Sequence, residues 1–150
     1  MTSDFKPYID LLKSSGLRPT EQRLAICKIL FDRYETFHFT IENLKEMIEK
    51  KVKNKISLGT LYNTVNAFKK NGFLKEISLG GNKIFFDTNI SKHHHFYDED
   101  LGKLFDIKNE KILVSKVPSA PIGKKIKNIE VIVRVASDNH NQKKLIKTIA

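Results

Sequence analysis

Apolar residues recur at three- and four-residue intervals up to about Gly72 and tend to alternate with polar ones beyond it, so the chain is predicted to pass from helices to strands near that glycine. Pro7 to Ser15 forms a short predicted helix stopped by Gly16, and Leu17-Arg18-Pro19-Thr20 opens a second that runs to about Tyr34. On that second helix Leu24, Cys27, Leu30 and Phe31 share one face, the spacing of a core stripe. Thr40 is placed to cap a third helix in which Ile41, Leu44 and Ile48 are spaced for burial. Ser57 is placed to cap a fourth, in which Leu58, Leu61, Val65 and Phe68 repeat and which Asn71-Gly72 ends. Phe73 to Ser78 and Lys83 to Asp87 are predicted strands joined around Gly80-Gly81, where glycine supplies the positive φ of a tight turn.

Past Asp87, His95 to Tyr97 and Lys103 to Ile107 are short predicted strands about Gly102. Ile129 to Val135 alternates, with Ile129, Val131, Val133 and Val135 on one side, and Asn141 to Ala150 has the pattern of a terminal helix. Such a segment is too small for a large core of its own and is best stabilised by pairing with a second copy. The predicted class is α+β: an N-terminal winged helix-turn-helix domain over residues 1–88, then a small α/β dimerisation and ligand-sensing domain over 89–150.

Composition adds a partner. At 40% hydrophobic and 29% charged residues the 150-residue chain is a folding sequence, and its net charge of +10 favours a polyanion. Nucleic acid leads, because each cation that neutralises a phosphate releases a condensed counterion; an anionic membrane surface is second. Cys27 is the one cysteine, so an intramolecular disulfide and a Cys-rich zinc cluster are excluded. Its place on the apolar stripe makes it a core residue. No apolar run approaches the roughly 20 residues that span a bilayer, and the start lacks a signal-peptide core. A soluble cytoplasmic protein with no membrane partner is expected.

The fourth helix carries the expected DNA chemistry. The face opposite its apolar stripe is centred on Gly59, Asn63, Asn66 and Lys70, with Thr60 and Ala67 flanking and Ser57 at its start. Small residues permit close approach, asparagine can bond adenine edges, and lysine can reach phosphate or guanine. A merely solvated face would look similar, but the hairpin that follows and the Lys51, Lys53, Lys55 cluster favour a groove reader. Arg18, Arg23, Lys75 and Lys83 fit backbone or minor-groove contacts. Tyr62 lies at the border of the stripe, and periodicity leaves its direction open.

In an extended segment His93 and His95 point to one side and His94 to the other. Two imidazoles on one side are half of a metal site suited to Fe²⁺, Mn²⁺ or Zn²⁺; His38 and Asp87 are the available further ligands. A solvated turn between domains is the plain alternative. A metal hydrolase is disfavoured, since no His-Glu-x-x-His helix or placed general base accompanies the histidines. The expectation is therefore a binding protein rather than an enzyme, with a ligand-independent winged-helix DNA-binding protein as the alternative.

Three segments together resemble the Fur superfamily: Gly16-Leu17-Arg18-Pro19-Thr20-x-x-Arg23, Ser57-Leu58-Gly59-Thr60-Leu61-Tyr62-Asn63-Thr64-Val65, and His93-His94-His95 ahead of Gly102-Lys103-Leu104. Phe85-Phe86-Asp87-Thr88-Asn89 before the histidines looks most like the iron response regulator (Irr) branch. The resemblance implies a homodimer binding AT-rich dyad operators in double-stranded DNA, with Arg18, Tyr62 and Asn63 at the DNA. It implies a regulatory metal at His38, Asp87, His93 and His95, between the two domains. The Irr likeness adds haem, contacted by His93, His94 and His95, because the cysteine-proline haem motif of some Irr proteins is absent. An Irr-like protein binds DNA when haem is scarce, whereas a Fur-like protein responds in the opposite sense; the sequence leaves the sign open. Asp98-Glu99-Asp100-Leu101 stands where many relatives carry Cys-x-x-Cys, so no structural zinc held by cysteines is expected. Lys92 and Ile129 replace histidines of a second Fur-type site.

Overall fold

A computed structural model describes residues 5–52 and 55–139 and divides the chain into two units, Met1–Ile90 and Ser91–Ala150. The expected terminal helix over residues 141–150, and Lys53 of the basic cluster, lie outside the described residues.

In the first unit α1 spans Lys6–Ser14 and α2 spans Glu21–Phe31. Gly16 turns the chain between them at φ 75°, and the Thr20 hydroxyl caps α2 by accepting the Arg23 N–H at 3.3 Å. The expected α2 stripe is only half right. Cys27 and Leu30 are buried together with Ile26 and Ile29, while Leu24 and Phe31 are partly buried. The reason is that α2 packs against α1, α3 and α4, so more than one narrow face is covered. Helix α3, Ile41–Lys51, opens with a reciprocal capping box: Asn43 N–H donates to the Thr40 hydroxyl at 3.1 Å and Thr40 N–H to Asn43 Oδ1 at 3.2 Å.

Helix α4, Leu58–Lys70, is capped by Ser57, whose Oγ accepts the Thr60 N–H at 3.1 Å. It buries Leu61, Thr64, Val65 and Phe68. Leu58, expected in the stripe, is 49% exposed at the first turn. Thr64 takes an inner position instead, which its hydroxyl tolerates because it donates to the Thr60 carbonyl at 2.7 Å. The hairpin strands are β2, Lys75–Ser78, and β3, Ile84–Asp87, turning at Gly80 (φ 90°) and Gly81 (φ 59°). A two-residue strand, β1 (His38–Phe39), lies ahead of α3 and completes an antiparallel sheet in the order β1-β3-β2. It seats Phe39 on Phe86, their ring centroids 5.6 Å apart, against the helical core.

The second unit is a three-stranded sheet in the order β5-β4-β6. Strands β4, His93–Asp98, and β5, Lys103–Lys108, form an antiparallel hairpin about Gly102 (φ 64°). Strand β6, Ile132–Val135, is shorter than expected and runs parallel to β4. To reach the far edge of β4 from β5 the chain must pass that strand; a 3-10 turn at Asn109–Lys111 leads into residues 112–131, which contain no helix or strand. The described part of this unit therefore supplies strands and one 3-10 turn to the expected α/β domain. Asp98 Oδ1 accepts the N–H groups of Asp100 and Leu101 at 3.0 and 2.9 Å. Asp100 in turn accepts both the N–H and the hydroxyl of Ser137, each at 2.5 Å, tying the hairpin tip to the end of β6 without any cysteine.

Candidate metal centre and nucleic-acid face

Alternation along β4 puts His93 and His95 on one side and His94 on the other, and all three are buried. The His93 Nδ1 lies 2.7 Å from the Ser91 carbonyl oxygen, and the His95 Nδ1 lies 3.0 Å from Glu130 Oε1. Those oxygens accept only, so each Nδ1 is the donor, and in the neutral ring each Nε2 keeps its lone pair. The two Nε2 atoms face each other at 2.9 Å, and Asp106 Oδ1 stands 3.4 Å from both. Two lone pairs and a carboxylate repel unless a cation, a proton or a metal ion, lies among them. A histidine whose outer nitrogen is held by a carboxylate or carbonyl while its inner nitrogen is aimed at a shared point is the usual orientation of a metal ligand. Imidazole nitrogen with carboxylate oxygen suits Mn²⁺, Fe²⁺ or Zn²⁺, so the residues present fit the implied metal.

The first unit holds a ligand-type pair of its own. Strand β1 sets His38 opposite Asp87 on β3, with His38 Nε2 3.2 Å from Asp87 Oδ2. Asp87 is fully buried, and its other oxygen accepts the Asn89 N–H at 2.8 Å. Each of the four metal residues read from the sequence thus sits in a histidine–carboxylate group within its own unit. Asp106 and Glu130 escaped that reading. The signal for Asp106 was present, since counting back from the Gly102 turn pairs His95 with it; Glu130 depends on a parallel strand that only the fold reveals.

His94 differs from its neighbours. Its Nδ1 accepts the Val131 N–H at 3.0 Å, so its lone pair is engaged and, in the neutral ring, its proton is on Nε2. Burial pushes the Cys27 thiol up to about 12, so it is protonated at neutral pH and is neither a metal ligand nor a reactive thiolate.

On α4, Gly59, Asn63, Asn66 and Lys70 are exposed, Thr60 is half-buried, and Tyr62 is 46% exposed, which resolves its direction as outward. The Ser57 and Thr60 hydroxyls lie 2.8 Å apart within the cap. Arg18 and Lys83 are exposed, while Arg23 is half-buried and donates from Nη1 to the Arg18 carbonyl at 3.1 Å, fixing the turn into α2. A Cβ on Gly59 would meet only Ser57 Oγ, at 4.0 Å, so nothing inside the chain requires a glycine there. Glycine costs up to about 1 kcal/mol relative to alanine in a helix interior and less in a first turn such as this, and its presence is accounted for if something outside the chain comes close.

The sequence profile of the ferric uptake regulator family matches residues 14–134, and the chain belongs to that family. It is 35% identical over 103 residues to the peroxide-responsive repressor PerR of Staphylococcus epidermidis, covering 69% of this chain and 67% of that protein. Among solved structures, the Vibrio cholerae ferric uptake regulator superposes with a TM-score of 0.66 at 22% identity, over 87% of this chain and 99% of that one. The Pseudomonas aeruginosa ferric uptake regulator with manganese gives 0.62 at 18% identity, over 87% and 97%. Membership in this family places the chain among transcription regulators, not enzymes. Among the described residues no helix is long and apolar enough to cross a membrane.

Proposed function

We propose that this protein is a homodimeric winged-helix transcription regulator whose grip on AT-rich dyad DNA is set by a divalent metal ion. The observation that carries this reading is the pair of imidazole lone pairs on His93 and His95, aimed at one point beside Asp106. His38 and Asp87 complete the metal's coordination in this proposal, so that the ion links the domain over residues 1–88 to the domain over 89–150. Binding then biases the arrangement of the two domains and shifts the population that fits two half-sites about 34–36 Å apart, or a multiple of that spacing. Arg18, Tyr62, Asn63, Asn66 and Lys70 supply the contacts to DNA, and Gly59 the close approach.

The iron-response assignment rests on the histidine triplet and its flanking residues. A divalent ion is favoured over haem because the donor set includes carboxylates and because the His94 lone pair is engaged with Val131. The test is fluorescence anisotropy on an AT-rich palindromic duplex with Mn²⁺, anaerobic Fe²⁺ or haem added separately. The expected result is an affinity change of tenfold or more with Mn²⁺ or Fe²⁺ that is lost in His93→Ala/His95→Ala, and an operator preference that is lost in Tyr62→Ala/Asn63→Ala. A response to haem alone selects haem as the ligand, and indifference to all three selects the ligand-independent DNA-binding protein.

A further inference from the structure

The second unit contains a cavity of about 390 Å³ at the start of β4, between that strand and the irregular segment that follows β5. This volume falls within the roughly 300–1,000 Å³ of small-molecule sites. Its lining has two characters. Lys92 and Lys127 bring ammonium groups and, among the described residues, no acidic side chain lines the cavity, while Ile112 and Ile126 are among the aliphatic residues that give it an apolar wall. His94 also lines it, and because Nδ1 accepts from Val131, the ring's one donor is Nε2–H.

Two cations without a counter-carboxylate, beside an apolar wall, match a ligand with an anionic head and an apolar body. We propose that this cavity binds an amphipathic organic anion, a carboxylate or sulfonate on a hydrocarbon or aromatic frame. The head is held by Lys92 and Lys127 and the body lies on the isoleucines. His93 belongs to the lining as well as to the histidine pair that faces Asp106. Anion and metal therefore share a wall, and occupancy of one shifts affinity for the other by the same factor in both directions. This coupling rests on the metal reading above; the cavity's own binding does not.

The experiment titrates the full-length chain with 8-anilinonaphthalene-1-sulfonate, following its fluorescence, with octanoate and octanol as competitors. Expected are one saturable site per chain, displacement by octanoate but not by octanol, and a tenfold or greater rise in Kd in Lys92→Glu/Lys127→Glu. Both lysines are exposed, so the melting temperature of that variant should match the parent. Tyr34→Ser, which changes a fully exposed residue of the first unit outside the lining, should bind like the parent and so controls for adhesion to apolar surface. An unchanged Kd in the double lysine variant, equal displacement by octanol, or no saturable binding would overturn the proposal. Repeating the titration with Mn²⁺ tests the coupling: a shifted Kd supports it and an unshifted Kd in Mn²⁺-loaded protein refutes it. Dye binding that persists in a chain that takes up no Mn²⁺ would leave the cavity standing and remove the metal reading.

Discussion

The two units solve the problem of an interior in opposite ways. The first gathers Leu12, Ile26, Leu44, Leu61, Val65, Phe68 and Phe86, contributed by all four helices and the sheet, into one apolar cluster. The second buries three histidines alongside Tyr97, Leu104 and Ile107, while Phe96, Phe105, Leu113 and Ile122 remain exposed. An apolar core stabilises by removing hydrocarbon from water and needs nothing further. A core built around imidazoles needs each ring nitrogen satisfied, and the exposed apolar residues around it need a cover. In the function proposed above, the first unit holds a DNA-facing surface steady and the second responds to a bound ion.

That contrast can be broken by substitution. The largest effect is expected for Phe68→Ala, which opens the first unit's core where Phe68 packs edge-on against Phe31 and Phe73. A loss of about 3–5 kcal/mol in chemical denaturation is expected. In the second unit, Leu113→Asp with Ile122→Asp removes exposed apolar side chains, so chain stability should move by no more than about 0.5 kcal/mol per site. In the homodimer proposed above a second copy covers these side chains, so sedimentation should nonetheless show dissociation at least tenfold easier. Gly59→Ala should raise the melting temperature, by up to about 1 kcal/mol of added stability, yet weaken binding to operator DNA in anisotropy; a variant that binds as before would remove the close-approach account of this glycine.

The smallest effect concerns acid. Hydrogen bonds from the Ser137 hydroxyl, then from its backbone N–H, hold the Asp100 carboxyl below its ordinary value. A group with a depressed folded pKa contributes stability above its unfolded pKa and loses that contribution as pH falls through the folded value. Asp100→Asn should therefore flatten the decline of stability below about pH 4, measured by urea unfolding across pH.

Much of this was legible in the chain. The caps at Thr20, Thr40 and Ser57 and the stops at Gly16 and Gly72 lie where local chemistry demanded, because a cap is a contact between near neighbours. The polar face of α4 was legible for the same reason. What periodicity missed depends on distant partners. Leu58 belongs to the apolar repeat but lies in a first turn that stays exposed, and Thr64 is buried through a bond to its own helix. Strand β1 is two residues long, below any pattern's reach, yet it sets His38 opposite Asp87. Glu130 reaches His95 across 35 positions, a distance that no local rule spans.

Strand β4 divides its histidines by face, with His93 and His95 aimed at one point beside Asp106 and His94 committed to Val131. The direct measurement is calorimetric titration of Mn²⁺ into the parent chain, His95→Ala and His94→Asn, the last retaining an acceptor for Val131 N–H. His95→Ala is expected to lower Mn²⁺ affinity at least about 100-fold while His94→Asn stays within about threefold of the parent. Equal losses in both variants, or parent-like binding by His95→Ala, would contradict that division of roles.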